Sequence, residues 1–109
     1  MMQTNLTVLH CQVVEEDVAM SLADLCRACN AERGLVLQLV EHGVIEPQGS
    51  APLAWVFTGT SLQRARVALR LLHDLELNLP GAALAVDLLD EIARLQRQLP
   101  GAVDAGRGG

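Results

Sequence analysis

The stretch 21–47, SLADLCRACNAERGLVLQLVEHGVIEP, most constrains the fold, because its apolar residues repeat at helical spacing in two short segments. The spacing predicts helices over 22–29 and 32–42, separated by a polar corner. Ser21 and Asp24 stand at the capping-box positions before the first helix, with Asp in place of the usual Glu or Gln. Two such helices and a tight corner are typical of a helix-turn-helix unit.

Extended segments are predicted on both sides of this unit. Residues 6–14, LTVLHCQVV, are rich in β-branched and apolar residues, and residues 53–57, LAWVF, read as a second strand. Trp55 and Phe57 share one face of that strand, as a period of two requires. We therefore expect a small sheet, or wing, and a winged helix-turn-helix head that spans residues 1–58.

Two longer helices are predicted after the head, over 62–77 and 80–99, so the fold class is mainly α with a small β wing. The helix 80–99 carries two apolar lines. One consists of Ala82, Val86, Leu89 and Ala93, and the other of Leu84, Leu88, Ile92, Leu95 and Leu99. A small head cannot easily cover both. We expect one line to dock on the head and the other to meet a second copy of the chain.

The predicted dimer interface is therefore made by Leu88, Ile92, Leu95 and Leu99. The alternative is a monomer in which the last helix folds back fully onto the head. With the dimer as the favoured arrangement, we predict that residues 59–100 form a helical association region. Residues 101–109, GAVDAGRGG, are predicted to form a disordered tail.

The net charge of −5 lies wholly in the first half of the chain. Residues 1–58 contain seven acidic residues and two Arg, whereas residues 59–109 contain six of each. An acidic surface repels the phosphates of nucleic acid and attracts basic protein surfaces. The predicted partner-binding residues are the acids of the head: Glu15, Glu16, Asp17, Glu32 and Glu41.

The second helix stands where a DNA-reading helix would stand, but its residues do not suit that task. Base edges are read by Arg, Lys, Asn or Gln, and this helix offers Arg33 and Gln38, with Glu32 and Glu41 opposing phosphate. The pattern disfavours DNA binding by the head. The alternative is a MerR-like transcriptional regulator that binds DNA as a dimer. Its DNA contact would be made by a different face, which carries Arg64, Arg66 and Arg70.

Catalysis is not indicated, because no nucleophile stands beside a base and the three His are isolated in sequence. We expect no enzyme activity, no cofactor and no bound metal. Cys26 and Cys29 fall on the buried face of their helix, where Cys acts as a small hydrophobe. With Cys11 and His10 or His42 they could also hold zinc, so a thiol or zinc sensor is a third hypothesis.

The compartment is predicted from what the sequence lacks. No apolar run reaches the ~20 residues of a membrane span, and the first residues, MMQTNLT, do not resemble a secretory signal. Three Cys, an odd number, argue against a disulfide framework. A cytoplasmic protein without a membrane partner is expected.

Several motifs together resemble the chaperone-modulator (CbpM) family, whose members have MerR-like heads. They are GVIEP at 43–47, WVF at 55–57, LLHDL at 71–75 and PG at 80–81, and the resemblance runs over about 21–95. It implies an interaction protein that binds the J-domain of a DnaJ-like co-chaperone called CbpA. Such a protein would block both the stimulation of a DnaK-type ATPase by CbpA and the binding of CbpA to DNA. The resemblance implies neither catalytic residues nor a cofactor.

Overall fold

The computed structural model describes residues 18–99, which form four α-helices and one short 3-10 helix. The α-helices are α1 (Leu22–Cys29), α2 (Arg33–Glu41), α3 (Gly59–Asp74) and α4 (Leu79–Gln98), and the 3-10 helix is Pro52–Ala54. The mainly helical fold class is confirmed. No helix in this part of the chain is long and apolar enough to cross a membrane.

The start of α1 has the capping box that the sequence predicts. The Ser21 hydroxyl accepts a hydrogen bond from the backbone N–H of Asp24 at 3.1 Å, and the Asp24 carboxylate accepts one from the backbone N–H of Ser21 at 3.2 Å. At the other end Asn30 adopts a left-handed conformation with φ of 53°, and the N–H of Ala31 bonds to the Cys26 carbonyl. This corner turns the chain into α2.

The predicted strand over 53–57 is wrong. Pro52 begins a 3-10 turn instead, because its fixed φ and missing N–H suit a first turn, and the N–H of Ala54 donates to the Ala51 carbonyl at 2.8 Å. Among the described residues, the β pairing of this region consists of two isolated antiparallel bridges, Met20 with Phe57 and Gln48 with Val56. In residues 18–99 the expected wing is therefore reduced to a structured loop. The predicted strand over 6–14 lies outside the described residues.

Helix α3 begins and ends three residues earlier than its pattern predicted. Its N-cap is Thr58, whose hydroxyl accepts from the N–H of Ser61, so the polar residues expected to precede the helix belong to its first turn. It ends at Asp74 because the chain reverses at Glu76, which has φ of 53°. Helix α4 follows after Asn78, whose side chain caps the N–H of Gly81 at 2.8 Å.

The core is aliphatic except for Phe57, and it is built from all four helices and the segment that leaves α2. Its members are Leu22, Leu25, Val36, Leu39, Val44, Ile45, Phe57, Ala65, Val67, Ala68, Leu71, Ala82 and Val86. Helix α1 packs against α2 and α3, and α4 packs against α2 and α3. Burial of Ala82 and Val86 confirms that one apolar line of α4 docks on the rest of the molecule.

Candidate protein-binding surface

Two of the predicted partner-binding acids mark the ends of α2. Glu32 is the N-cap residue, with an extended backbone and no capping hydrogen bond from its side chain, and Glu41 is the last helical residue. Both side chains are exposed. A rise of about 1.5 Å per residue separates them by roughly 13 Å along the helix axis. The other three predicted contacts lie outside the described residues; they are Glu15, Glu16 and Asp17.

Within residues 18–99, neither Glu32 nor Glu41 takes part in an ion pair. Five ion pairs occur within residues 18–99: Asp24–Arg27, Arg64–Asp87, Arg64–Asp90, His73–Asp74 and Glu91–Arg94. None of them includes Glu32, Glu41, Glu46 or Glu76. Hydrogen bonds from the Ser21 backbone and side chain, with Arg27 nearby, lower the pKa of Asp24, and a hydrogen bond from Arg94 lowers that of Glu91. The free acids of α2 can thus attract a cationic partner.

An open groove lies between α2 and α3, next to the corner that precedes α2. Its volume is about 810 Å³, and its apolar lining is supplied by Cys29, Leu35, Leu69 and Leu72. These four side chains are only half-buried, so the groove faces solvent. Helical periodicity gives no indication of such a groove, because it does not show how two helices pack against each other.

Polar groups stand around this groove. Glu32 is at the corner end, Gln38 lies further along α2, and His73 is on α3. All three side chains are exposed. An apolar floor with a polar rim is the anatomy of a protein-binding patch.

The chain is similar in sequence to one protein family profile and to named proteins from several bacteria. The sequence profile of the family described as "MerR HTH family regulatory protein" matches residues 20–101. The protein named "Chaperone modulatory protein CbpM" from Coxiella burnetii is 39% identical over 87 residues, which are 80% of this chain and 82% of that protein. Proteins of the same name from Pseudomonas entomophila and Pseudomonas putida are 35% and 36% identical over 81 residues, 74% of this chain and 80% of theirs.

This chain belongs to the CbpM family. The resemblance carried by GVIEP, WVF and LLHDL is thereby confirmed. The matched region of the MerR-type profile contains all four described helices, so the helix-turn-helix assignment of α1 and α2 holds as well. Glu32 and Glu41 lie at the two ends of α2, the second helix of this helix-turn-helix unit.

In this CbpM-family protein, the exposed side of α2 presents Arg33 and Gln38 to solvent. Glu32 and Glu41 flank them at the two helix ends. The backbone carbonyl of Gln38 lies 2.9 Å from Nδ1 of the His42 ring, so His42 bonds to the main chain of α2 and leaves the Gln38 side chain free of this contact. One cation between two carboxylates gives α2 no basic surface, which a protein needs to hold the DNA backbone.

Arg64 has a structural role that sequence reasoning missed. Its side chain is 17% exposed, and Nε donates to the Val44 carbonyl at 2.5 Å. The same guanidinium pairs with Asp87 at 2.9 Å and with Asp90. Arg64 thus joins the exit of α2 to α4. Arg64 is therefore not available to the alternative DNA-binding face, because its charge is paired with the two aspartates of α4. No local signal connects residues 20 and 23 positions apart.

The two cysteines of α1 are free thiols and half-buried. Burial raises the pKa of Cys29, an effect that the nearby Arg66 opposes. A raised pKa keeps the thiol protonated, whereas metal binding needs the thiolate. Residues 18–99 contain no group of three or more His, Cys, Asp or Glu that could hold a metal ion. Cys11 lies outside the described residues, and metal analysis of protein purified without chelator tests the zinc hypothesis.

Helix α4 exposes the second of its apolar lines. Leu84 is 60% exposed and Leu95 44%, and the predicted dimer residues Leu88, Ile92 and Leu99 fall between these values. Four of these exposed side chains lie on the helix and Leu99 is its C-cap residue, and such a row of exposed apolar side chains is unusual on the surface of a monomer. They remain available for the predicted contact with a second copy.

Proposed function

We propose that this protein binds the J-domain of a DnaJ-like co-chaperone of the CbpA type and inhibits both its co-chaperone activity and its binding to DNA. Membership of the CbpM family supports a chaperone-modulating role, since the relatives are named for it. The structural observation that carries the proposal is the free negative charge of Glu32 and Glu41 at the ends of α2. The protein would act by binding alone, in the cytoplasm, without catalysis or a cofactor.

The physical basis of the interaction is electrostatic complementarity. Charges that are exposed and unpaired steer a partner of opposite sign during diffusion, and they act mainly on the association rate. Salt weakens this steering, because the Debye length falls to about 8 Å at physiological ionic strength. A basic surface of the J-domain would meet the head of this protein in this way.

The experiment is a kinetic binding measurement with the purified J-domain of a CbpA-type co-chaperone. The wild-type chain should associate quickly at low salt and more slowly as salt is added. The double variant Glu32→Lys with Glu41→Lys should associate at least several-fold more slowly and show less salt dependence. The matched control is Glu76→Lys, which reverses another exposed and unpaired acid outside α2.

Two results would contradict the proposal at different levels. Absence of any complex between the wild-type chain and the J-domain at low salt would reject J-domain binding. A complex with unchanged kinetics in the double variant would place the contact on another surface. Inhibition itself is measured as the loss of stimulated ATP hydrolysis when this protein is added to a DnaK-type ATPase and its co-chaperone.

A MerR-like regulator that binds DNA as a dimer is the second candidate function. The description of the matched profile and the exposed Arg33 and Gln38 on α2 favour it. This function requires sequence-dependent binding to duplex DNA that persists in the presence of excess non-specific DNA. A mobility-shift experiment at about 50 mM salt, where phosphate contacts are strong, should show no shift if the J-domain proposal is right.

A further inference from the structure

Gly34 lies in α2, and no contact within residues 18–99 requires a glycine at this position. Glycine is the weakest helix former apart from proline, because it has the most backbone freedom to lose. A Cβ added at Gly34 would meet no heavy atom within 4 Å. Gly49 differs, since its φ of +125° and the approach of the Ala54 carbonyl explain it. The described part of the chain therefore gives Gly34 neither a strained backbone nor a crowded neighbour.

The position of Gly34 in the groove can explain why a glycine occurs in this helix. It lies in the α2 wall of the groove, beside Leu35 and opposite Leu69 and Leu72 of α3. A glycine in a helix allows another backbone to approach more closely than any other residue would. The glycine therefore widens the groove at a cost in helix stability, and an occupant from outside the described chain can offset that cost.

We infer that the groove between α2 and α3 receives a helix of the partner J-domain. The trench has helices as both walls, and a third helix can lay its ridge of side chains into it. Its apolar side chains would cover Leu35, Leu69 and Leu72, and its backbone would pass close to Gly34. This inference rests on the proposed function and adds to it the site of docking.

Charge identifies which kind of helix fits. Glu32 lies at the corner end of the groove, exposed and outside every ion pair of residues 18–99. An occupant with a Lys or Arg at that end would complete the pair, whereas an acidic helix would be repelled. The half-buried state of the apolar lining also suits a helix, because a small molecule would be enclosed more fully. The expected occupant is thus an amphipathic helix with a cation near one end.

The test fills the groove at Gly34 in the full-length chain and measures affinity for the purified J-domain of a CbpA-type co-chaperone by calorimetry. Gly34→Leu should bind at least roughly tenfold more weakly, because its side chain occupies the space of the partner backbone. Gly34→Ala should lose affinity by a smaller factor. Both variants should melt at or above the wild-type temperature, since Leu and Ala are better helix formers than Gly.

The matched control is Ala23→Leu, which adds a similar exposed side chain on α1 away from the groove and should leave affinity unchanged. If the wild-type chain itself fails to bind the J-domain, the proposed function fails. If the wild-type chain binds and Gly34→Leu binds equally well, only the groove assignment is overturned.

Two further outcomes would also overturn the assignment. A lower melting temperature for both glycine variants would show that another part of the same chain fills the groove. A change of molecular mass in solution on Gly34→Leu substitution would show that a second copy fills it. Weaker binding with unchanged mass and undiminished stability is the result that supports the inference.

Discussion

At the residue scale, Gly49 shows how one backbone position can decide the shape of a loop. Its φ of +125° is closed to side chains other than hydrogen, and a Cβ there would lie 2.7 Å from the Ala54 carbonyl oxygen. The bridge between Gln48 and Val56 and the 3-10 turn over Pro52–Ala54 lie on either side of this contact. The loop after α2 therefore depends on a residue with no side chain.

Substitution of Gly49 by Ala should lower the free energy of unfolding by more than about 1 kcal/mol, because it combines a strained φ with a steric clash. The same change at Gly34 should raise it by about 0.5–1 kcal/mol, since α2 would gain a better helix former. Urea denaturation of both variants gives the two values. Equal effects at the two glycines would show that the loop relaxes freely around Ala.

The capping box of α1 makes a prediction about pH. Hydrogen bonds from the backbone and hydroxyl of Ser21, with the Arg27 charge, hold the pKa of Asp24 below its ordinary value of 3.8. A depressed pKa contributes stability above the unfolded value, and this contribution is lost as the pH falls through the folded value. Asp24→Asn should therefore destabilise the fold at neutral pH.

That destabilisation should shrink as the pH is lowered well below 3.8, because the wild-type carboxyl then also loses its charge. Urea midpoints of the two proteins measured across this range give the difference. A difference that stays constant with pH would show that the carboxylate charge of Asp24 contributes nothing to the helix start.

At the scale of elements, Arg64 links α3 to the exit of α2 and to α4. It reaches from α3 to the Val44 carbonyl, where the chain leaves α2, and to Asp87 and Asp90 on α4. Because the guanidinium presents several donors in a fixed plane, one side chain can satisfy three partners. The orientation of α4 against the head depends on this contact as well as on Ala82 and Val86.

Arg64→Ala should lower the free energy of unfolding by about 1.5–3 kcal/mol, the range for hydrogen bonds to charged groups. Arg66→Ala is the control, an exposed arginine in none of the ion pairs of residues 18–99, and should change it by less than about 0.5 kcal/mol. Asp87→Asn with Asp90→Asn should have little further effect once Arg64 is removed. Additive effects in that triple variant would contradict a shared network.

At the scale of the whole molecule, only one of the two apolar lines of α4 is buried among residues 18–99. Ala82 and Val86 are buried, whereas exposed large side chains follow one another along the same helix and at its C-cap: Leu84, Leu88, Ile92, Leu95 and Leu99. Burial of apolar surface is worth about 25 cal/mol per Å², so a row of five large side chains offers a substantial association energy. A two-fold pairing of α4 with its copy would bury them.

Leu88→Asp or Leu95→Asp should convert the expected dimer to a monomer, because a carboxylate buried against another apolar helix is strongly unfavourable. Light scattering measures the mass directly. The control is Leu53→Asp, which changes a leucine that is 94% exposed on the loop after α2 and should leave the mass unchanged. A dimer that persists in both α4 variants would refute this choice of interface.

Local signals alone determined much of this protein. The Ser21 cap, the spacing of Leu22 and Leu25 and the corner at Asn30 depend on neighbours within a few residues, so α1 and α2 could be read from the sequence. Family motifs in the same sequence led to the CbpM family. The strand predicted over 53–57 is wrong because the alternating side chains were read as a strand, whereas Pro52 starts a 3-10 turn at the same place.

Tertiary structure decided the features that depend on distant parts of the chain. The contacts of Arg64 with Val44, Asp87 and Asp90 join residues at least 20 positions apart, and the groove is lined by residues of α2 and α3, two helices separated by a long loop. Periodicity shows which residues share a face of one helix, but it carries no information about which other element that face meets. The sequence therefore determined the helices and the family, and packing between helices determined the surface that a partner can use.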